Sequence, residues 1–98
     1  MSKQAFNKLL DAMRALCNEV NDQEICRRLE TLMNTSKDDL SVHSVNELLD
    51  DPFAFEPKDI PEPFTMYVKH FIYMVKRNEK LGIPTKYSQS AISKSKKK

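Results

Sequence analysis

The stretch Phe64-Thr65-Met66-Tyr67-Val68-Lys69-His70-Phe71-Ile72-Tyr73-Met74-Val75-Lys76-Arg77-Asn78-Glu79-Lys80-Leu81-Gly82-Ile83-Pro84 decides how this chain folds. Phe64, Tyr67, Val68, Phe71, Met74 and Val75 recur at i, i+3, i+4 and i+7, the period of an amphipathic helix. Met66, Ile72 and Tyr73 widen the apolar arc beyond one stripe, so the pattern predicts a central helix over 64–81 with partners on more than one side. Its end is marked by Gly82 in a left-handed cap, apolar Ile83 behind it, and Pro84, whose missing N–H forbids continuation.

Working outward, Phe6, Leu9, Leu10, Met13, Leu16, Cys17 and Val20 make the apolar face of a first helix over about 3–20, with Ser2 as its N-cap. Asn21 and Glu24 have capping-box spacing and open a second helix over about 22–34, with Ile25, Cys26, Leu29, Leu32 and Met33 inward. So short a break makes the two antiparallel neighbours. Ser36-Lys37-Asp38-Asp39 and Ser44-Val45-Asn46-Glu47 compete to cap a third helix, expected over about 41–50 and centred on Val45, Leu48 and Leu49. Residues 50–63 contain Pro52, Pro57, Pro61 and Pro63 and read as an extended connector. Phe53, Phe55 and Ile60 within it are too apolar to be left exposed together.

These elements fit an all-α, small four-helix bundle: one domain over 1–84, a proline-rich extended connector, and a disordered basic tail over 85–98. The chain's 98 residues hold a single glycine, which disfavours sheets with tight hairpins and any Gly-rich phosphate loop. No apolar run is long enough to cross a bilayer, and polar Ser2-Lys3-Gln4 follows Met1, so an intracellular protein without membrane insertion is expected, cytoplasmic or, in a eukaryote, nuclear. Cys17 and Cys26 are too few for a disulfide framework and read as small buried hydrophobes, although antiparallel packing would bring them opposite each other.

Chemistry-bearing groups do not converge. Ser41, His43 and Ser44, with Asp38 and Asp39, share one cap-forming stretch in which nucleophile and base cannot meet inside a pocket. His43 and His70 have no metal-ligand spacing with the cysteines, and Asp50, Asp51, Glu56 and Asp59 lack the alternation and glycine of a calcium loop. The expectation is therefore a protein with no catalytic residues, no cofactor and no metal.

Charge carries the functional signal. Residues 1–61 hold 7 Lys+Arg against 12 Asp+Glu, while residues 62–98 hold 9 against 2, so a net −5 faces a net +7 within an overall +2. Lys69, Lys76, Arg77 and Lys80 line the polar side of the fourth helix, and Lys86, Lys94, Lys96, Lys97 and Lys98 continue the run. Such a half suits nucleic acid, since cations gain affinity by releasing counterions from phosphates without reading bases. The terminal lysines are equally compatible with nuclear import, contact with an anionic membrane surface, or solubility alone. Two readings follow: an accessory or regulatory protein that docks on another macromolecule and contacts DNA or RNA through this half, or a pure protein–protein adaptor or homodimer. The second would use exposed apolar residues such as Met66 and Tyr73, or Phe53 and Phe55 as a short recognition motif.

Pro63-Phe64-Thr65-Met66-Tyr67-Val68-Lys69-His70-Phe71, followed by a basic helix, the Pro84 break and Ser90-Ala91-Ile92-Ser93-Lys94, resembles the opening of an HMG box over about a third of the chain. The resemblance implies that Tyr67 and Val68 face a DNA minor groove and that Lys69 meets phosphate. The match stops where the family's second helix would start, and the chain has no tryptophan for that family's core. Phe64, Tyr67 and Phe71 are accordingly read as core residues of a different bundle.

Overall fold

In the computed structural model, which describes residues 4–36, 40–58 and 60–87, four helices form and no strand does. They are α1 (Gln4–Leu16), α2 (Val20–Thr35), α3 (Val42–Asp50) and α4 (Phe64–Leu81). None is long and apolar enough to cross a membrane among the described residues.

The hub is α1, which packs against α2, α3 and α4, whereas the sequence pattern had pointed to α4. The reason lies in which apolar residues are covered. On α1, Ala5, Phe6, Leu9, Leu10, Ala12, Met13 and Leu16 are all buried, an apolar surface wide enough to serve three neighbouring helices. On α4 two of the three extra apolar residues that suggest centrality are left outside, Met66 53% and Tyr73 56% exposed, while Ile72 is partly buried against the core. The remaining α4 stripe reads as expected, with Phe64 set edge-on to Phe6 at 4.8 Å between ring centres.

The turn between α1 and α2 lies earlier than periodicity indicates. Helix α1 stops at Leu16, and α2 starts at Val20, which is 79% exposed and not part of the first helix's apolar face. The expected Asn21–Glu24 capping box does not form. Glu19 is the N-cap, its carbonyl accepting from the Asp22 and Gln23 amides at 3.1 and 3.2 Å, and Glu24 instead pairs with Arg27 and Arg28. Asp22 thereby falls in the first turn, where helix amides favour an anion, and its carboxylate accepts from the backbone N–H of Asn18 at 3.4 Å. The helices run antiparallel as expected: Cys17 meets Cys26, and Arg14, one turn back on α1, meets Glu30, one turn on along α2.

Helix α3 is capped by neither of the two competing signals. Ser41 is the cap, its hydroxyl accepting from the Ser44 amide at 3.3 Å. Buried Leu40 before it and buried Val45 in the first turn occupy the two positions of a hydrophobic staple. From Asp51 to Pro63 the described residues form neither helix nor strand. Ile60 is buried there, Phe53 and Phe55 are partly buried against the core, and the Ile60 carbonyl accepts from the Thr65 hydroxyl at 2.7 Å. At the far end Gly82 adopts φ 76°, and the amides of Gly82 and Ile83 bond back to Glu79 and Asn78, the closure expected of the Gly82-Ile83-Pro84 signal.

The body does not finish at Pro84. Tyr87 is buried, its ring edge-on to Phe71 at 5.5 Å, so the first residues assigned to the tail belong to the core. A chain ended after Pro84 is expected to melt with a loss of about 1.5–3 kcal/mol, the worth of one buried aromatic side chain, while a chain ended after Tyr87 keeps that contribution. Equal melting midpoints for the two truncations would refute this role for Tyr87. Ser2, proposed as the first helix cap, lies outside the described residues, as do Asp38, Asp39 and Asp59.

Candidate nucleic-acid interface

Because a helix advances about 1.5 Å per residue, Lys69, Lys76 and Lys80 sit about 10 and 6 Å apart along α4. All three are exposed and none forms an ion pair among the described residues. Met66, Tyr73 and Lys80 follow one another at seven-residue steps, so the exposed aromatic and thioether groups lie within the same stripe as the cations. Glu79 is the single acidic residue of the helix.

Arg77 departs from the expectation of a solvent-facing cation. Its side chain is only 13% exposed, with one guanidinium nitrogen 2.6 Å from the Asp22 carboxylate and the other 3.2 Å from Glu19. Asp22 is itself almost wholly buried and accepts, besides Arg77 and the Asn18 amide, a contact from the His70 ring at 3.2 Å. Burial alone pushes the Asp22 carboxyl up, but the Arg77 hydrogen bond, the Asn18 amide, His70 and the guanidinium charge outweigh it and hold the group below its ordinary value. The same hydrogen bond raises Arg77 further, against the opposing effect of burial. Asn78 completes the junction: its amide oxygen accepts from Asn18 at 2.7 Å and its amide nitrogen donates to the Leu16 carbonyl at 3.4 Å.

These anchors shape the surface above them. Tyr73 stands between His70, at 5.7 Å between ring centres, and Arg77, whose guanidinium carbon lies 5.8 Å from the ring centre. Both neighbours are fixed from below by Asp22, so the tyrosine ring is displayed by a braced scaffold beside three lysines. Lys86 is exposed too, with its ammonium 5.2 Å from the centre of the Tyr87 ring. Lys94, Lys96, Lys97 and Lys98 lie outside the described residues.

The sequence pattern does not single out Asp22, Glu19, Asn18, His70 and Asn78 as anchors. A signal existed. Asp22 precedes Cys26 and Leu29 by four and seven residues, on the inward stripe of α2, and Asn78 follows Phe71 and Met74 inward on α4. A polar residue on an apolar stripe must find a partner, and here Asp22 finds Arg77 and His70 of α4 while Asn78 finds Asn18 and the Leu16 carbonyl. Phe53 and Phe55 pack against the core, as rings closing the bundle do. His43 is exposed on α3, 3.5 Å from Glu47 and away from His70. No cluster of three or more metal-ligating side chains occurs among the described residues.

No family model matches the chain, and neither a curated protein nor a solved structure matches it. The HMG-box resemblance also fails on geometry. Tyr67 and Val68, which it would turn toward DNA, are buried in the core, and only Lys69 is exposed.

Proposed function

We propose that the protein is a non-enzymatic accessory or regulatory binding protein that docks on a macromolecular partner and contacts nucleic acid through α4 and the basic residues beyond it. The observation that carries this reading is Tyr73, half exposed and braced by His70 and Arg77, standing among Lys69, Lys76 and Lys80. Lysines at this spacing supply phosphate contacts that fix position without reading sequence. An exposed ring flanked by His70 and Arg77 offers a π-face on which an unpaired base can stack.

The test is binding of the full chain to duplexes and single strands of DNA and RNA at two salt concentrations. Affinity is expected to fall with salt at a logarithmic slope of about 0.9 per phosphate on duplex DNA and about 0.7 on a single strand. Lys69→Ala with Lys76→Ala lowers both affinity and slope, and deleting Lys94–Lys98 lowers them again, nearly equally for unrelated sequences. Arg77 is unsuitable for this test, since its removal strips Asp22 of its partner. The exposed Met66, Tyr73 and Leu81 favour the second reading, a protein adaptor or homodimer. That reading predicts no shift of any nucleic acid even at low salt, and self-association or partner capture lost on Met66→Ser with Tyr73→Ser. A full chain that shifts no duplex or strand overturns the nucleic-acid proposal.

A further inference from the structure

The two cysteines are closer than buried fillers need to be. Cys17, in the turn after α1, and Cys26, on α2, place their sulfurs 3.1 Å apart, both as free thiols. Cys17 is half-buried, and its sulfur lies 3.2 Å from the Met13 carbonyl, while Cys26 is buried. Both border an open pocket of about 360 Å³ whose other walls are Arg14, Gln23, Arg27 and Glu30, so a small molecule reaches the pair from solvent past two guanidinium groups. Cationic neighbours and access are what distinguish a reactive cysteine from an inert one. The residues bracketed by the pair include Asn18, Glu19 and Asp22, which are the anchors for Asn78, Arg77 and His70 of α4.

We propose that Cys17 and Cys26 form a redox site in which a small hydroperoxide oxidises the pair to an intramolecular disulfide, stapling the body of α2 to the turn that follows α1. Cys17, the accessible partner, attacks as its thiolate; the peroxide O–O bond breaks, Cys17 becomes a sulfenic acid, and the leaving oxygen takes a proton. Cys26 then attacks the Cys17 sulfur, the S–O bond breaks, and water departs with the Cys26 proton. For hydrogen peroxide the balance is two thiols and one peroxide to one disulfide and two waters. Cys26 is buried and Cys17 only half-buried, so peroxide reaches Cys17 first and Cys26 resolves; burial, helped by Cys17 and opposed by Arg14, pushes the Cys26 thiol up to about 12.

The test treats reduced full-length protein with hydrogen peroxide, alkylates it under denaturing conditions, and reads intact mass and non-reducing peptide maps. The expected product is a monomer lighter by two hydrogen atoms, with neither cysteine alkylated, restored by dithiothreitol. Its melting midpoint should stand roughly 10 °C above that of the reduced form, since the crosslink restricts the unfolded chain. Cys26→Ala, verified as folded by circular dichroism, should stop at a Cys17 sulfenic acid that dimedone captures, and Cys17→Ser should leave Cys26 unoxidised. If both cysteines are still fully alkylated after peroxide that oxidises a free peptide thiol, the proposal is overturned. Oxidation only to disulfide-linked dimers or to sulfinic acids overturns it as well. Nucleic-acid binding enters none of these readings.

Discussion

Leu16→Asp is expected to leave the chain unfolded, or close to it, at room temperature. Leu16 is fully buried at the last position of α1, the helix that touches the other three, so the new carboxylate would enter the apolar core away from water. An unpaired buried charge either unfolds its surroundings or takes up a proton, and either route costs several kcal/mol, comparable with about 5–15 kcal/mol for a whole domain of this size. Leu10→Asp, also on the buried face of α1, should behave similarly, whereas Asp11→Ala, on the exposed face, should change the melting midpoint little. Circular dichroism and thermal melts decide the matter: helical, cooperatively melting protein from both leucine variants would mean that α1 does not form the core.

Asp22→Ala is expected to cost about 3–5 kcal/mol, the usual penalty for deleting one partner of a buried ion pair, because Arg77 would keep its charge in a site that is 13% exposed. Asp22→Leu combined with Arg77→Met should recover much of that loss, since the pair's cost comes from stranding one charge. The pair also sets an acid limit. The folded-state carboxyl of Asp22 lies below its ordinary value of 3.8, so the folded state binds its proton less readily than the unfolded chain does. The stabilisation is therefore fully present above about pH 5 and is lost as pH falls below 3.8 and through the lower folded-state value. Urea melts at pH 7 and pH 3 should show a larger acid penalty for the native chain than for Asp22→Asn. Equal penalties would place the acid sensitivity elsewhere.

Legibility in the sequence followed the range of the forces involved. Helix α4 could be read to the residue because its limits are local: an apolar period opening at Phe64 and the glycine–proline stop at Gly82 and Pro84. The α1–α2 break could not, since Val20 continues the apolar spacing of α1 while the turn is set by Asp22 binding the Asn18 amide and a guanidinium 55 positions away in sequence. Centrality misled for a similar reason. Met66 and Tyr73 look like core on composition, and only the placement of α1 rather than α4 at the hub leaves them half exposed among the described residues. Of the proposed contact residues, Lys69, Lys76 and Lys80 were legible as exposed, while Arg77 carries the same formal charge and spends it inward. The braces around Tyr73 depend on α2, which no pattern within α4 reveals.

The position of α1 under three helices also divides the chain into parts with unequal freedom to drift. Ala5 and Ala12 are buried on that helix, so a larger residue at either must displace atoms of a close-packed core, and few substitutions there are tolerated. The outward stripe of α4 has no such debt, because Met66, Lys69, Tyr73, Lys76 and Lys80 are exposed among the described residues. Mutation and selection can therefore retune what this surface recognises, one side chain at a time, with almost no cost to folding. The exception is the point where surface and interior share a residue: Arg77 holds the floor beneath Tyr73, and evolution can alter it only together with Asp22.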